Sequence, residues 1–376
     1  MGVAILGQQA GEMSSSAMMA FLSPELLVRK LTALTLWLLC ADIAFAQQPT
    51  EPISSIGFGS CAKQDQPQPI WEPILASQPQ VFLMIGDNIY GDSDDMNVLR
   101  AKWKKLAGLK GFQALRKSTR FFATWDDHDY GRNDAGNDYP FRRESQEVFL
   151  DFLEVPADSP RRKQEGVYQS VVLGPPGQRV QLILLDTRYH RSPLKPNGLQ
   201  RVAGKPYFGP YAPEEDPAVT MLGETQWAWL AEQLKIEAEV RVIASSVQVL
   251  ANEHNWEKWG NFPAERQRLF DLIRESQANG VILISGDRHH AELSRNDDAL
   301  PYPLFDVTSS SLNAPGKTKT EPNADRVGEL YSGVNFGWIA IDWTEEDPVI
   351  TLAIRELSGK AFVADRFPLS RLRAAE

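Results

Sequence analysis

Short apolar runs rich in β-branched and aromatic residues recur along the chain and predict buried strands. They span residues 81–85, 121–125, 180–185, 240–244, 281–285, 337–342 and 349–354. Segments that mix apolar and charged residues at helical spacing separate many of these runs, at residues 94–109, 141–153, 224–239 and 263–277. This alternation is typical of an α/β fold. No helix is predicted between the last two runs, so we expect them to pair as a hairpin within a mixed sheet.

Two long segments interrupt the alternation. Residues 191–223 contain six prolines, which a helix or a central strand cannot accommodate, and residues 309–336 begin with three serines and contain Pro-Gly and Pro-Asn pairs. Long irregular loops usually serve as lids or binding loops. No linker separates two halves of the chain, so we expect one catalytic domain at residues 47–376.

Composition and charge narrow the class of protein. The chain has 376 residues, 43% of them hydrophobic and 23% charged, which is ordinary for a globular protein. Its formal net charge is −10, and its sequence pI is about 5.2. Binding to nucleic acid or to an anionic membrane needs a positive field, so neither partner is expected of the surface as a whole. A phosphate-handling site must then supply positive charge locally.

Residues 1–46 have the pattern of an export signal. Arg29 and Lys30 precede an apolar run at residues 31–40, and Ala46 ends a small-x-small cleavage pattern. Asp42 interrupts the run well short of the roughly 20 apolar residues that a membrane span needs. We therefore predict export to the periplasm or beyond, without a stable membrane anchor.

Cleavage after Ala46 would remove Cys40 and leave Cys61 as the single cysteine. A lone cysteine forms no internal disulfide. Cys61 is therefore expected to be a small buried residue, a nucleophile or a metal ligand.

Aspartate and histidine residues crowd the points where three predicted strands end. Residues 86–92 read Gly-Asp-Asn-Ile-Tyr-Gly-Asp, residues 126–129 read Asp-Asp-His-Asp, and residues 286–290 read Gly-Asp-Arg-His-His. The carboxyl ends of strands in α/β sheets face a common crevice, where ligands bind. Neighbouring carboxylates repel each other, and a multivalent cation relieves that repulsion. The pattern predicts a site for a transition or trivalent metal beside a hard divalent ion.

Four motifs in this order resemble the PhoD-like alkaline phosphatases of the calcineurin-like metallophosphoesterase superfamily, over most of residues 55–357. The motifs are Gly59-Ser60-Cys61, Gly86-Asp87-x-x-Tyr90, Asp126-Asp127-His128-Asp129 and Gly286-Asp287-x-His289. Cys61, Tyr90 and Asp287 depart from the general superfamily pattern in ways that the PhoD-like branch shares. The resemblance implies a four-layer α/β (α+β) sandwich, in which helices flank two mixed β-sheets.

The same resemblance implies the metals. Iron(III) would be held by Cys61, Tyr90 and a bridging Asp87, with either Asp287 or His289 completing its ligands. Thiolate and phenolate are strong anionic donors that favour iron(III).

Asp127 would hold a second metal, expected to be calcium because carboxylate oxygens suit that ion. Other divalent metals remain possible. Gln248 falls where the superfamily has a lone histidine ligand.

The mechanism implied is hydrolysis of a phosphoester by a metal-bound hydroxide, with His128 protonating the leaving oxygen or stabilising the transition state. Arg132 and Arg188 would either clamp the phosphate or form structural ion pairs. His254, with Trp256 and Trp259, would line the substrate pocket or belong to a surface turn.

The natural substrate stays open among monoesters, phosphodiesters and phospholipid headgroups, as does the oligomeric state. A secreted, non-catalytic protein that binds phosphate or carbohydrate through the same metals is the alternative. Such a protein would tolerate the loss of His128, whereas an enzyme would not.

Overall fold

The computed structural model describes residues 51–374, apart from residues 204, 206 and 318–319. The predicted export signal at residues 1–46 lies outside this part of the chain. The helices are α1 (Trp71–Ala76), α2 (Met96–Ala107), α3 (Lys110–Ser118), α4 (Asp127–Tyr130), α5 (Arg142–Phe152), α6 (Gly223–Leu234) and α7 (Pro263–Glu275). The strands are β1 (Ser55–Gly59), β2 (Val81–Ile85), β3 (Arg120–Thr124), β4 (Gln169–Leu173), β5 (Val180–Leu184), β6 (Lys195–Pro196), β7 (Tyr211–Ala212), β8 (Val240–Ala244), β9 (Val281–Ser285), β10 (Ala291–Asn296), β11 (Leu304–Ser309), β12 (Arg326–Tyr331), β13 (Asn335–Asp342), β14 (Val349–Glu356) and β15 (Ala361–Pro368).

Two large mixed sheets organise the fold. One has six strands in the order β15-β14-β13-β1-β2-β3, and the other has seven in the order β12-β10-β11-β9-β8-β5-β4. Strands β1, β2 and β3 run parallel, as do β5, β8, β9 and β11. Antiparallel pairing of β13 with β14 confirms the predicted hairpin.

Strand β2 shows why the sheets stack. Successive side chains of a strand point to opposite faces. Val81, Leu83 and Ile85 join a core that also contains residues of the seven-stranded sheet, whereas Phe82 and Met84 pack in a second core with helices α1 to α5. Helices α6 and α7 contribute to the first core from the other side. The result is four layers, helix, sheet, sheet and helix, as the motif resemblance implied.

The predicted strands agree closely with those observed, and β2, β8 and β9 match at both ends. The two segments expected to be irregular need correction. Residues 309–336 contain the whole of β12, and residues 191–223 contain the short hairpin of β6 and β7. Within the described residues, no helix has the length and apolar character needed to cross a membrane.

Candidate metal centre

Strand ends from both sheets bring the predicted residues together. Cys61 follows β1, Asp87 follows β2, Asp127 follows β3 and Asp287 follows β9. Backbone hydrogen bonds join strand ends within and between the sheets: Ala62 N donates to Asp87 O at 2.8 Å, and Ser60 N donates to Ser309 O, at the end of β11, at 3.1 Å. The predicted crevice therefore forms where parallel strands from both sheets end.

Four of these residues adopt left-handed backbone conformations. The φ angles are 59° at Cys61, 49° at Asp87, 67° at Asp287 and 57° at His289. Such angles are uncommon for residues other than glycine, and they turn the chain sharply after a strand. The turns direct several donor side chains into one space.

The cysteine cluster consists of Cys61, Asp87, Tyr90 and His289. Ligand atoms of Cys61, Asp87 and His289 all lie within 4.8 Å of one another. The Tyr90 hydroxyl lies 3.3 Å from both Asp87 Oδ2 and His289 Nε2, and Cys61 Sγ lies 3.3 Å from Asp87 Oδ2. Thiol, carboxyl, phenol and imidazole groups thus converge on one point, as the motif resemblance implied.

Hydrogen bonds to neighbouring residues orient two members of the cysteine cluster, His289 and Cys61. His289 Nδ1 contacts the Ala314 carbonyl, which only accepts hydrogen bonds, so Nδ1 carries the proton and Nε2 presents a lone pair to the cluster. Ser310 Oγ accepts a hydrogen bond from His289 N at 2.8 Å and lies 3.1 Å from Cys61 Sγ. Ser310 belongs to the serine run at residues 309–311, which the sequence interpretation treated only as loop.

The aspartate–histidine cluster consists of Asp87, Asp127 and His128, whose ligand atoms also lie within 4.8 Å of one another. His128 Nδ1 lies 2.7 Å from Asp92 Oδ1, and its ring packs against Tyr90 with centroids 4.2 Å apart and an angle of 32° between the ring planes. Burial lowers the pKa of His128, but the hydrogen bond to Asp92 and the charge of Asp127 outweigh it and raise the pKa to about 9. The imidazole is thus held in one orientation and favours its protonated form.

The acidic cluster consists of Asp127, Asp134 and Glu257, and the sequence interpretation missed two of its three members. Glu257 is fully buried and forms ion pairs with Arg188 and Arg191, which are themselves inaccessible to solvent. Asp127 belongs to this cluster and to the aspartate–histidine cluster. The three clusters therefore form one continuous set of potential ligands, linked by Asp87 and Asp127.

The electrostatics of these clusters fit a bound cation. Burial and the charge of Asp127 raise the pKa of Asp87 well above its ordinary value, and burial and the charge of Asp87 do the same for Cys61. Asp87 Oδ1 is buried and has no hydrogen-bond partner among the described residues. A cation would satisfy that oxygen and stabilise the deprotonated forms, so the donor set fits a metal centre.

Asp287 lies apart from the three compact clusters. Its Oδ2 is 3.6 Å from Arg288 Nη1, and its charge raises the pKa values of Cys61 and Asp87. It therefore faces the same space as the ligands while being partly neutralised by Arg288.

The two arginines named from the sequence occupy different environments. Arg132 has 51% of its side chain exposed and pairs with Asp94, which is also exposed. Arg188 is inaccessible to solvent, and it donates from Nε to Asp126 Oδ1 at 2.6 Å and from Nη1 to Glu257 Oε1 at 2.8 Å. The exposed Arg132 side chain can release Asp94 and bind a ligand. Arg188, in contrast, is held by buried carboxylates.

His254 lies in a buried polar network. Its Nδ1 accepts from Trp256 N at 3.1 Å, so Nε2 carries the proton and donates to Gln248 Oε1 at 2.9 Å. The Gln248 amide nitrogen donates to Glu292 and Thr308, so Gln248 is engaged in this network at both ends of its amide. Burial lowers the pKa of His254 well below its ordinary value.

The two tryptophans near His254 also differ. Trp259 is inaccessible to solvent and packs against Trp227 in the core. Trp256 is half-buried, and the guanidinium groups of Arg201 and Arg288 lie 5.5 Å and 5.1 Å from its ring centroid.

Comparisons with known proteins place this site in context. The family model described as PhoD-like phosphatase matches residues 56–335, a range that contains all three clusters. Alkaline phosphatase D from Bacillus subtilis (strain 168) is 25% identical, and the match covers 50% of this chain and 34% of that protein. The chain thus aligns with about a third of the length of that relative.

Solved structures share the fold. The structure described as PhoD superposes with a TM-score of 0.64 at 16% identity, covering 85% of this chain and 69% of that chain. Purple acid phosphatase PPD1 from yellow lupin (Lupinus luteus) seeds superposes with a TM-score of 0.58 at 10% identity, covering 85% and 55%. These similarities confirm the predicted sandwich of two mixed sheets flanked by helices.

Proposed function

Because the chain belongs to the PhoD-like phosphatase family, we propose that it is a metal-dependent phosphoester hydrolase acting at the clusters described above. One observation carries the proposal. Asp87 has ligand atoms within reach of both the cysteine cluster and the aspartate–histidine cluster, and one of its buried oxygens lacks a partner. A carboxylate shared in this way is suited to bridging two metals. The predicted export signal supports action outside the cytoplasm, with residues 47–376 as one catalytic domain.

We assign the first metal to the cysteine cluster. Cys61, Asp87, Tyr90 and His289 offer thiolate, carboxylate, phenolate and imidazole, a donor set that favours iron(III). When bound, such ions polarise the phosphoester and activate the attacking water. The site residues then have to bind the substrate, orient it and provide a proton.

The second metal is assigned to Asp87 and Asp127, with calcium suited to their carboxylate oxygens. Asp134 and Glu257, the remaining members of the acidic cluster, lie beside Asp127, and Glu257 is already neutralised by Arg188 and Arg191. Asp287, whose charge acts on both Cys61 and Asp87, would be a further ligand of either metal.

His128 is the proposed proton donor to the leaving oxygen. Asp92 binds Nδ1 and Tyr90 packs on the ring, so Nε2 is the nitrogen left to face the substrate. Arg132 is the proposed phosphate contact, because its exposed guanidinium can leave Asp94. The burial of Arg188 and His254 supports positioning roles for those two residues.

The direct test compares hydrolysis of p-nitrophenyl phosphate with that of its bis-ester at alkaline pH, with added metal and then with chelator. Turnover that chelator abolishes and metal restores is expected, and the ratio of the two rates distinguishes a monoesterase from a diesterase. Absence of turnover on both esters by folded, metal-loaded protein would contradict the proposal.

The His128→Gln variant separates the enzyme from the binding-protein alternative. We expect it to lose turnover by about 10²-fold or more while retaining metal, because general acid catalysis contributes roughly that much. A binding protein would keep its phosphate affinity in this variant and would show no turnover in the parent.

Tyr90 tests the identity of the first metal. Tyrosinate bound to iron(III) gives a visible charge-transfer band, which Tyr90→Phe should remove. A colourless, iron-free protein that still hydrolyses esters would contradict the iron assignment and leave the hydrolase proposal intact.

A further inference from the structure

The long loop between β6 and β7 carries an unusual surface. We define the described residues between 197 and 210, which leave out 204 and 206, as the tip loop. Leu199 is 60% exposed and Val202 is 55% exposed, more than any other large hydrophobic residue in the described part of the chain. Single exposed apolar residues are ordinary on protein surfaces, but two within four positions of one loop form a local apolar tip.

Positive charge surrounds this apolar tip. Lys195, Arg201 and Lys205 flank Leu199 and Val202, and no aspartate or glutamate occurs from residue 191 to residue 213. Lys195 makes only a long contact of 3.5 Å with Glu214. The charged residues of the tip loop itself, Arg201 and Lys205, are thus both cationic, in a chain whose formal net charge is −10.

The base of the tip loop is held by hydrogen bonds. Asn197 N donates to Pro210 O at 2.7 Å, which closes the loop, and Asn197 Oδ1 accepts from Leu199 N at 2.8 Å. Asn255 N donates to Phe208 O at 2.6 Å. These contacts fix the loop against the segment that contains Glu257.

Glycine is required at one of these contacts. Gly209 has a φ of 120°, and a Cβ there would lie 2.2 Å from the Asn255 carbonyl carbon. The close backbone approach keeps the base of the tip loop beside the metal centre. Tyr211, which follows the loop, extends the connection by donating a hydrogen bond to Asp134 of the acidic cluster.

We propose that the tip loop docks the protein on an anionic lipid surface, with Leu199 and Val202 entering the interface and Arg201 and Lys205 contacting the headgroups. Insertion of apolar side chains at the acyl boundary and attraction of Lys and Arg to anionic headgroups both favour binding to an anionic bilayer. The negative charge of the rest of the protein is screened beyond about 8 Å at physiological ionic strength, so local charge decides the contact. Docking of this kind is peripheral and reversible.

Such docking would hold the metal centre near the lipid surface, because the base of the loop adjoins Glu257 and Asp134. The proposed lipid binding does not require catalytic turnover, and its test does not measure turnover. Its failure would leave the proposed hydrolase activity unaffected, and failure of that activity would leave lipid binding unaffected.

The test is co-sedimentation of the full protein with phosphatidylcholine–phosphatidylglycerol vesicles and with pure phosphatidylcholine vesicles. We expect binding to the anionic vesicles that weakens with added salt. The double variant L199S/V202S should partition about tenfold less, because the loss of two inserted apolar side chains removes much of the interfacial affinity. Arg201→Gln should reduce the salt dependence.

A matched control lies in the hairpin formed by β14 and β15. Leu357 and Phe362 are 42% and 38% exposed, and L357S/F362S should bind vesicles like the parent. Asp127→Asn should also bind normally, since it alters the metal centre and not the tip loop.

Three results would overturn the inference. The first is a parent protein that does not bind anionic vesicles, as expected if the tip loop binds a protein partner instead. The second is undiminished binding by L199S/V202S. The third is binding abolished by free inorganic phosphate, which would indicate capture of headgroups at the metal centre instead of docking through the loop.

Discussion

The cysteine cluster and the acidic cluster hold their charges in opposite ways. In the acidic cluster, Glu257 is neutralised by the buried side chains of Arg188 and Arg191. In the cysteine cluster, no lysine or arginine of the described residues forms an ion pair with Asp87, and the pKa values of Asp87 and Cys61 are raised by burial and mutual repulsion. The protein itself neutralises Glu257 of the acidic cluster, whereas Asp87 of the cysteine cluster depends on a bound cation.

Asp87→Asn should produce the largest effect, because this carboxylate serves both the cysteine cluster and the aspartate–histidine cluster. We expect turnover to fall by about 10³-fold or more, as the variant loses charge stabilisation at both metals. Metal analysis should show loss at both positions. Loss of one metal alone would contradict the bridging assignment.

Arg188→Met should chiefly affect stability. The substitution leaves Asp126 and Glu257 buried without their shared cation, and breaking a buried pair in this way costs about 3–5 kcal/mol in the free energy of unfolding. Arg100→Met is the matched control, because its pair with Asp151 is exposed and should contribute about 1 kcal/mol or less. Equal losses in the two variants, measured by denaturant titration, would contradict the comparison.

Removal of metal should make stability depend on pH. Burial and the charge of Asp127 raise the pKa of Asp87 in the folded protein, so as pH rises above about 4 the unfolded chain releases this proton before the folded one does. Unfolding is then increasingly favoured, until the folded protein also releases the proton. The pKa values of Asp129 and Asp287 are shifted in the same direction.

Melting temperatures of metal-free and metal-loaded protein across this range provide the measurement. We expect the metal-free protein to lose stability as pH rises and the loaded protein to lose much less. The Asp87→Asn variant, free of metal, should show a flatter profile than the metal-free parent. A metal-free parent that becomes more stable with rising pH would show that the cysteine cluster is already compensated.

Arg132→Ala should give the smallest effect. Its ion pair with Asp94 is exposed, so we expect no measurable change in melting temperature. If Arg132 contacts the phosphate, KM should rise about fivefold with little change in kcat, since such a contact binds substrate and transition state alike. A fall in kcat with unchanged KM would instead indicate a role confined to the transition state.

The sequence predicted best the strands that form a continuous apolar run, and it missed buried strands such as β1 and β11, whose runs contain glycine or aspartate. Strands β2, β8 and β9 are continuous apolar runs, and their ends were found to the residue because glycine, aspartate and serine follow them directly. Strand β12 was missed because its residues are half-buried or exposed, so no apolar run marks it. Strand β15 was missed for the same reason, as it lies at the edge of its sheet with most of its residues exposed or half-buried.

In the candidate site, too, a local sequence pattern marks some residues and does not mark others. Cys61, Asp87, Asp127 and His289 lie within four residues of a strand end, so a local pattern reveals them. Glu257 lies in an irregular segment, and its approach to Asp127 depends on contacts between residues distant in the chain, which no local pattern records. Asp92 was visible in the run at residues 86–92, but its bond to His128 appears only once β2 and β3 lie side by side.

The left-handed backbone at the strand ends has a consequence for how this protein can change under selection. An ordinary L-residue pays roughly 1–2 kcal/mol for such a conformation, which glycine adopts freely. A population selected for heat resistance alone should therefore accumulate glycine at Cys61, Asp87, Asp287 and His289, where the φ angles are positive. Each such replacement would remove a candidate metal ligand. At these positions, selection for stability of the folded protein and selection for metal binding therefore favour different residues.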